Sequence, residues 1–274
     1  MTSIVAALAD ARGMIPSSEA RLLLRHLLGC TAAFVEAHGD DHLPGDVAER
    51  FAEWLRRRAA GEPVAYLIGM REFYGRDFSV TPDVLIPRPE TELLVDLGIA
   101  KLAGYRTVPR ILDLGSGSGC VAVSLALALP LAQVTAVDVS ALALGVVQLN
   151  AQRHGATIGC VESDWFAALD GSCYDLIVAN PPYIAAGDIH LRQGDLRFEP
   201  PQALTSGADG LEAIRRIVGD SARHLQPGGW LLFEHGYDQA ERVAALLQSA
   251  RYAEIEQHRD LAGIVRVSGG RIVG

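Results

Sequence analysis

Four consecutive residues, Asn180-Pro181-Pro182-Tyr183, offer hydrogen-bond acceptors and almost no donors. Neither proline has an N–H, and Pro181 holds Asn180 out of the helical region. The Asn180 side-chain oxygen and the Pro181 carbonyl can then accept both hydrogens of one planar –NH2 group, with the Tyr183 ring behind it. The nitrogen of an amide or aryl –NH2 is a poor nucleophile because its lone pair is delocalised. Two acceptors draw off the positive charge that builds as a new N–C bond forms, which stabilises the transition state. The proton can leave after transfer, so no separate general base is required. On its own such a tetrapeptide is equally a rigid turn after a strand, and its setting in the chain has to separate the two.

That setting contains a second constellation. Asp113 and Leu114 end an apolar run and lead into Gly115-Ser116-Gly117-Ser118-Gly119. Glycines let the backbone turn sharply and let a ligand approach closely. The spacing is G-x-G-x-G rather than the G-x-G-x-x-G of dinucleotide enzymes, and no lysine follows it to grip a phosphate. Asp138 closes the next apolar run, where a carboxylate accepts from both hydroxyls of an adenosine ribose. This admits S-adenosylmethionine or NAD and disfavours NADP; a helix-capping acid is the plainer reading of Asp138. Trp165 stands after the following run, where an adenine can stack, or where it is simply core. S-adenosylmethionine would bring an activated methyl group to the acceptor loop, so positioning does most of the rest.

The elements that must hold these groups alternate from residue 110 onward. Short apolar strands are expected at 111–114, 134–137, 158–161, 176–179 and 230–233, with two more near 252–255 and 264–267. Helices are expected at 121–129, 141–154, 211–225 and 239–247. The alternation predicts an α/β doubly wound, mainly parallel sheet with ligands at the strand carboxyl ends. Residues 1–72 read as helical. Ala20, Leu23, Leu24, Leu27 and Leu28 form one stripe over 18–28, with Ser17 or Ser18 as cap and Gly29 as stop. A second helix is expected over 46–60 and ends in Arg56, Arg57 and Arg58, read as a solvated helix end rather than an RNA patch. Between 73 and 92 the texture becomes a short hairpin and a proline turn. The expected domains are therefore 1–72, a linker at 73–92, and 93–274.

The composition narrows the function classes. A length of 274 residues fits one large domain or two modest ones at roughly 150 residues each. With 49% apolar residues the chain can bury a sizeable core. The net charge of −9 counts against gripping long stretches of nucleic acid. Residues 1–72 hold 8 arginines against 10 acidic residues, so the first part is acidic too. No run reaches the ~20 apolar residues of a membrane helix. The stretch from Met1 to Asp10 lacks the basic start of a secretory signal. Cys30, Cys120, Cys160 and Cys173 have no CxxC spacing and read as reduced thiols of a cytoplasmic protein. His38 and His42 lie in a loop with no fixed carboxylate, so no metal site is expected.

The chain resembles the release-factor glutamine methyltransferases nearly end to end. The likeness runs through Gly61-Glu62-Pro63, Phe73-Tyr74-Gly75, Leu85-Ile86-Pro87-Arg88-Pro89-Glu90-Thr91-Glu92 and Asp113 to Gly119. It continues through Asp138, Asn180 to Ile184, Glu199-Pro200, Gly207 to Leu211, Pro227-Gly228-Gly229, and Glu234 with Gly236 and Gln239. It implies a class I S-adenosylmethionine-dependent methyltransferase domain, Rossmann-like with a mainly parallel seven-stranded sheet, behind a small helical N-terminal domain. It implies methyl transfer to the side-chain amide (N5) of the glutamine in the Gly-Gly-Gln motif of peptide chain release factors. S-adenosylhomocysteine would be the product. The cofactor contacts implied are Gly115, Ser116, Gly117, Ser118, Gly119, Asp138, Trp165 and Asn180. The substrate contacts implied are Asn180, Pro181, Pro182 and Tyr183, with Asn180, Pro181 and Tyr183 carrying catalysis. The helical domain would help to dock the release factor, and a monomer with no direct nucleic-acid or membrane partner is expected. His235 has no reading at this stage, and Glu234 reads as a structural acid at a strand end.

Four other readings stand beside it. The sister enzyme that methylates a ribosomal-protein glutamine shares the catalytic domain but differs around residues 87–92. Adenine-N6 methyltransferases use the same tetrapeptide, because adenine also presents a planar –NH2. An NAD oxidoreductase shares the glycine turn and Asp138 but leaves Asn180 to Tyr183 unexplained. A binding module without catalysis explains neither constellation.

Overall fold

The computed structural model describes residues 2–105 and 107–273. They divide into two compact units, Met1–Met70 with Arg192–Phe198, and Arg71–Leu191 with Glu199–Gly274.

The first unit is helical: α1 (Ile4–Asp10), α2 (Ser17–Leu28), α3 (Ala32–Ala37), α4 (Gly45–Ala59) and α5 (Val64–Ile68). Leu23, Leu24, Phe51, Trp54 and Leu55 fill its core. Gly29 ends α2 in left-handed backbone, as its position predicts. Neither Ser17 nor Ser18 caps that helix. Pro16 occupies the cap position and Ser17 is already helical, so the fixed proline φ sets the entry into the helix. The arginine run is partly neutralised: Arg57 pairs with Glu62 at 2.6 Å, and Arg58 with Glu19 at 2.6 Å and Asp195 at 3.3 Å. Arg197 donates to the Ala60 carbonyl, which helps explain why 192–198 joins this unit although it is far away in sequence. Met1, the first residue of the stretch read as lacking a leader, lies outside the described residues.

Next in the chain comes a hairpin, β1 (Met70–Phe73) and β2 (Arg76–Ser79). Tyr74 and Gly75 both have positive φ, the two-residue turn whose twist matches the strands. The remaining elements are α6 (Glu92–Leu102), β3 (Arg110–Leu114), α7 (Cys120–Ala128), β4 (Gln133–Asp138), α8 (Ala141–His154), β5 (Ile158–Glu162), β6 (Tyr174–Ala179), α9 (Pro201–Leu204), α10 (Glu212–Ser221), β7 (Leu225–Glu234), α11 (Ala240–Ser249), β8 (Ala253–Arg259) and β9 (Val265–Arg271). Helix α6 has no counterpart in the sequence reading. The Pro227-Gly228-Gly229 run lies inside β7 rather than before it, where the pairing with β6 shifts register.

One sheet runs in the order β5-β4-β3-β6-β7-β9-β8. Its first five strands are parallel, and β9 runs antiparallel to both β7 and β8. Alternate residues of each strand go to opposite faces. Ile111, Leu176 and Val178 pack with α6, α7 and α8, while Leu112, Ile177 and Ala179 pack with α10 and α11. The strand order reverses at β3, with β4 on one side and β6 on the other, which opens a crevice beyond their carboxyl ends.

Candidate functional site

A cavity occupies that crevice. The loops after β3, β4, β5 and β6 supply Gly115 to Ser118, Asp138, Trp165 and Asn180 to its wall. Gly115, Gly117 and Gly119 all have positive φ, which is why the turn needs glycine at every second place. The turn is pinned to β4: Gly115 and Ser116 N–H groups donate to the Val137 carbonyl at 2.8 and 2.9 Å. The Ser116 hydroxyl donates to Asp113 O and accepts from Val137 N. Asp138 accepts from Gly117 N and Ser140 N, both at 2.9 Å, so it braces the turn and the start of α8 as well as facing the cavity. Trp165 sits in left-handed backbone, and a methyl group on Gly115 would meet its ring at 3.6 Å.

The cavity is acidic. Asp83, Asp113, Asp138 and Asp164 line it against Arg88, which is itself paired with the buried Glu199 at 2.5 Å. Asp164 is tied to Arg216. Asp113 is 2% exposed and its Oδ2 has no hydrogen-bond partner. Burial pushes its pKa up to about 7, against the pull of the nearby Ser116 hydroxyl and Ala122 N–H. An unsatisfied buried acceptor in a cavity wall is a place prepared for a donor, and a cationic one fits best.

The Asn180 loop is held from behind. Asn180 Nδ2 donates to Thr91 Oγ1 at 3.0 Å, and the Thr91 hydroxyl donates to Glu234 Oε2 at 2.6 Å. The Tyr183 hydroxyl donates to Glu234 Oε1 at 3.1 Å. Burial raises the pKa of Glu234, and the two hydroxyls pull it back. Burial, then the nearby Glu234 charge, pushes the Tyr183 hydroxyl far above its ordinary pKa, so it stays a donor. At the far end of the loop, Gln239 Nε2 donates to the carbonyls of Tyr183 (2.9 Å) and Gly210 (3.3 Å). Gly210 has φ +75°, and a Cβ there would lie 2.3 Å from the Tyr183 carbonyl oxygen. Gly210→Ala is therefore expected to lower stability by roughly 1–3 kcal/mol. Thermal unfolding checks this, and an unchanged midpoint would refute the clamp.

Not every residue singled out in the sequence reaches the cavity. Pro182 lines it with Asn180, whereas Pro181, which is buried, and Tyr183 do not. Gly119 is also absent from the wall. It starts α7 and packs against Val147 of α8, where a Cβ would come within 3.0 Å of that side chain. Several residues of the site carried no individual role in the sequence reading. Arg88 lines the cavity, and Thr91 both lines it and bonds Asn180. Glu199 holds the proline turn by accepting from Ile86 N and pairing with Arg88. Asn150 ties Ser79 of the hairpin to Ser118 of the glycine turn. His235 now has a reading. Its Nδ1 donates to the Gly236 carbonyl and its Nε2 accepts from Ser268, so it is a buried neutral brace. Burial lowers its pKa accordingly. Among the described residues no group of His, Cys, Asp and Glu is arranged to hold a metal, and no helix is long and apolar enough to cross a membrane. All four cysteines are free.

Residues 1–69 match the family model described as PrmC N-terminal domain, and residues 91–196 match the methyltransferase small domain. The chain is 52% identical over 257 residues to a release factor glutamine methyltransferase of Bordetella pertussis, covering 93% of this chain and 95% of that one. It is 46% identical over 275 residues to a release factor glutamine methyltransferase of Xylella fastidiosa, covering 100% of both. Two solved structures share the fold alone. One is a methyltransferase from Pyrococcus furiosus, at 15% identity and TM-score 0.55 over 81% of this chain and 100% of that one. The other is a T. thermophilus 16S rRNA N2 G1207 methyltransferase in complex with AdoMet and guanosine, at 20% identity and TM-score 0.53 over 74% of this chain and 49% of that one. The sheet is that of a class I methyltransferase. On full-length relatives at these identities, the chain belongs to the release factor glutamine methyltransferase family.

Proposed function

We propose that the protein transfers the methyl group of S-adenosylmethionine to the side-chain amide nitrogen of the glutamine in the Gly-Gly-Gln motif of peptide chain release factors. One observation carries the reading: Asn180, the amide acceptor, lines the same acidic cavity as the glycine turn and Asp138. A cavity walled by carboxylates suits a cationic cofactor and repels the paired phosphates of NAD. Asp138 suits the ribose hydroxyls, Trp165 the adenine, and the unpartnered Asp113 Oδ2 the ammonium group.

When bound, S-adenosylmethionine supplies a sulfonium-activated methyl group. The chain supplies position and polarity. Asn180 Oδ1 accepts an amide hydrogen and Pro182 backs the planar group, while Tyr183 steadies the loop through Glu234. The first unit is the part that docks the release factor, and the enzyme acts as a monomer in the cytoplasm.

A radiolabelled methyl-transfer assay tests the substrate. Release factor, its glutamine-substituted form, the ribosomal protein and DNA are offered side by side. Label is expected on intact release factor alone; label on the ribosomal protein or DNA overturns the assignment.

The Asp113 assignment has its own signature. Below about pH 7 the free protein holds Asp113 neutral, and an incoming ammonium must displace that proton. Affinity for S-adenosylhomocysteine is thus expected to rise about tenfold from pH 6 to pH 8. The rise should flatten in Asp113→Asn. Calorimetry across that range checks it, and an equal slope in both proteins would sink it.

A further inference from the structure

We infer that Thr91 and Glu234 determine which end of the Asn180 side-chain amide faces the substrate, acting as positioning residues for the acceptor proposed above. The inference rests on that reading of Asn180.

An amide side chain has two ends of nearly the same shape and opposite polarity. Turned one way, Asn180 presents its oxygen to the substrate –NH2. Turned the other way it presents its own –NH2, so two donors face each other and the acceptor is lost. Shape cannot choose between these states, so a hydrogen-bond partner must.

The chain of contacts behind Asn180 makes that choice. The Thr91 and Tyr183 hydroxyls and the nearby Arg266 charge favour the ionised form of Glu234 against its burial, and a carboxylate only accepts. Glu234 is 1% exposed and takes the Thr91 hydroxyl on Oε2 at 2.6 Å. The single hydroxyl hydrogen of Thr91 is thereby used, and only lone pairs of Oγ1 remain towards Asn180. Thr91 is 2% exposed, so water does not readily replace this partner. The Asn180 atom 3.0 Å away must then be the nitrogen, and Oδ1 is left for the substrate. A flipped Asn180 would set two oxygens against each other in a buried place, a costly arrangement. The other oxygen of Glu234 takes the Tyr183 hydroxyl at 3.1 Å. One buried carboxylate thus orders both the amide and the ring of the acceptor loop.

Thr91 ends a 3-10 turn, Pro89–Thr91, that leads into α6, and its side chain makes no capping bond. The hydroxyl is used instead on a residue 143 positions away.

The test compares Thr91→Val, which keeps the shape and loses the hydroxyl, with Thr91→Ser, which keeps the hydroxyl. For Thr91→Val we expect kcat to fall about tenfold or more, with affinity for S-adenosylhomocysteine within about twofold of the parent. Thr91→Ser should recover kcat to within about threefold. Glu234→Gln, which can donate or accept towards Thr91, should fall between them. If Thr91→Val turns over like the parent while Asn180→Ala is inactive, the orientation mechanism is wrong and the acceptor role stands. If Asn180→Ala itself is fully active, the underlying reading fails. A measurement on the unaltered protein does not depend on any variant folding. The chain has two asparagines, Asn150 and Asn180, so asparagine-selective 15N labelling yields two side-chain –NH2 pairs. One pair should show a nuclear Overhauser contact to the Thr91 side chain and be absent in Asn180→Ala. Loss of that contact in the parent protein overturns the inference.

Discussion

Asn180→Ala is expected to methylate release factor at least ~100-fold more slowly than the parent chain, while still binding S-adenosylhomocysteine. Removing one preorganised group aimed at developing charge costs roughly 10²–10³ in kcat. Here the group is an acceptor, and the charge is the positive charge that grows on the glutamine nitrogen. The effect should fall mainly on kcat, because the acceptor does more for the transition state than for the bound amide. Neighbouring structure should survive, since β6 ends at Ala179 and the loop remains clamped through Gln239. Single-turnover transfer with labelled cofactor checks the result. Wild-type turnover in this variant would show that the amide clamp is not the mechanism.

The second large effect belongs to Asp138→Ala, for which we expect about a 100-fold or greater loss of affinity for S-adenosylhomocysteine. Hydrogen bonds to a charged partner contribute roughly 1.5–3 kcal/mol each, and a ribose offers two hydroxyls. The structure adds a second route to the same loss. Asp138 also accepts from Gly117 N and Ser140 N, so alanine loosens the glycine turn as well as removing the ribose contact. Asp138→Asn retains one acceptor oxygen and should lose less. Titration calorimetry on the three proteins separates these contributions. Unchanged affinity in Asp138→Ala would remove the ribose assignment.

The parts of the site that are legible in sequence are the contiguous ones. The glycine turn can be read because positive φ at alternate positions demands glycine, which leaves a visible pattern. Asn180 to Tyr183 can be read because the missing N–H groups of two prolines are a property of the tetrapeptide itself. Even there, a run is not a surface: Gly119 serves helix packing, and Pro181 and Tyr183 stay out of the cavity wall. Helix α6 is not legible because no capping side chain marks its start, which follows a 3-10 turn at Pro89–Thr91, and its apolar residues form no single stripe.

By itself, then, the sequence determined the alternating α/β architecture, the helical first part, the family, and the chemistry of an acceptor loop beside a glycine turn. The family rests on the resemblance of its motifs; the others rest on local backbone preference or on hydrophobic period, which neighbouring residues encode together. Only the tertiary structure decided what makes that chemistry directional. The pairs Thr91–Glu234 and Arg88–Glu199, and the tie from Asn150 to Ser79 and Ser118, join residues between 32 and 143 positions apart. No local preference brings them together; the closure of one sheet between two layers of helices does. The polarity of Asn180 follows from that closure, because burial turns the Thr91 hydroxyl and the Glu234 carboxylate towards each other and the loop they hold.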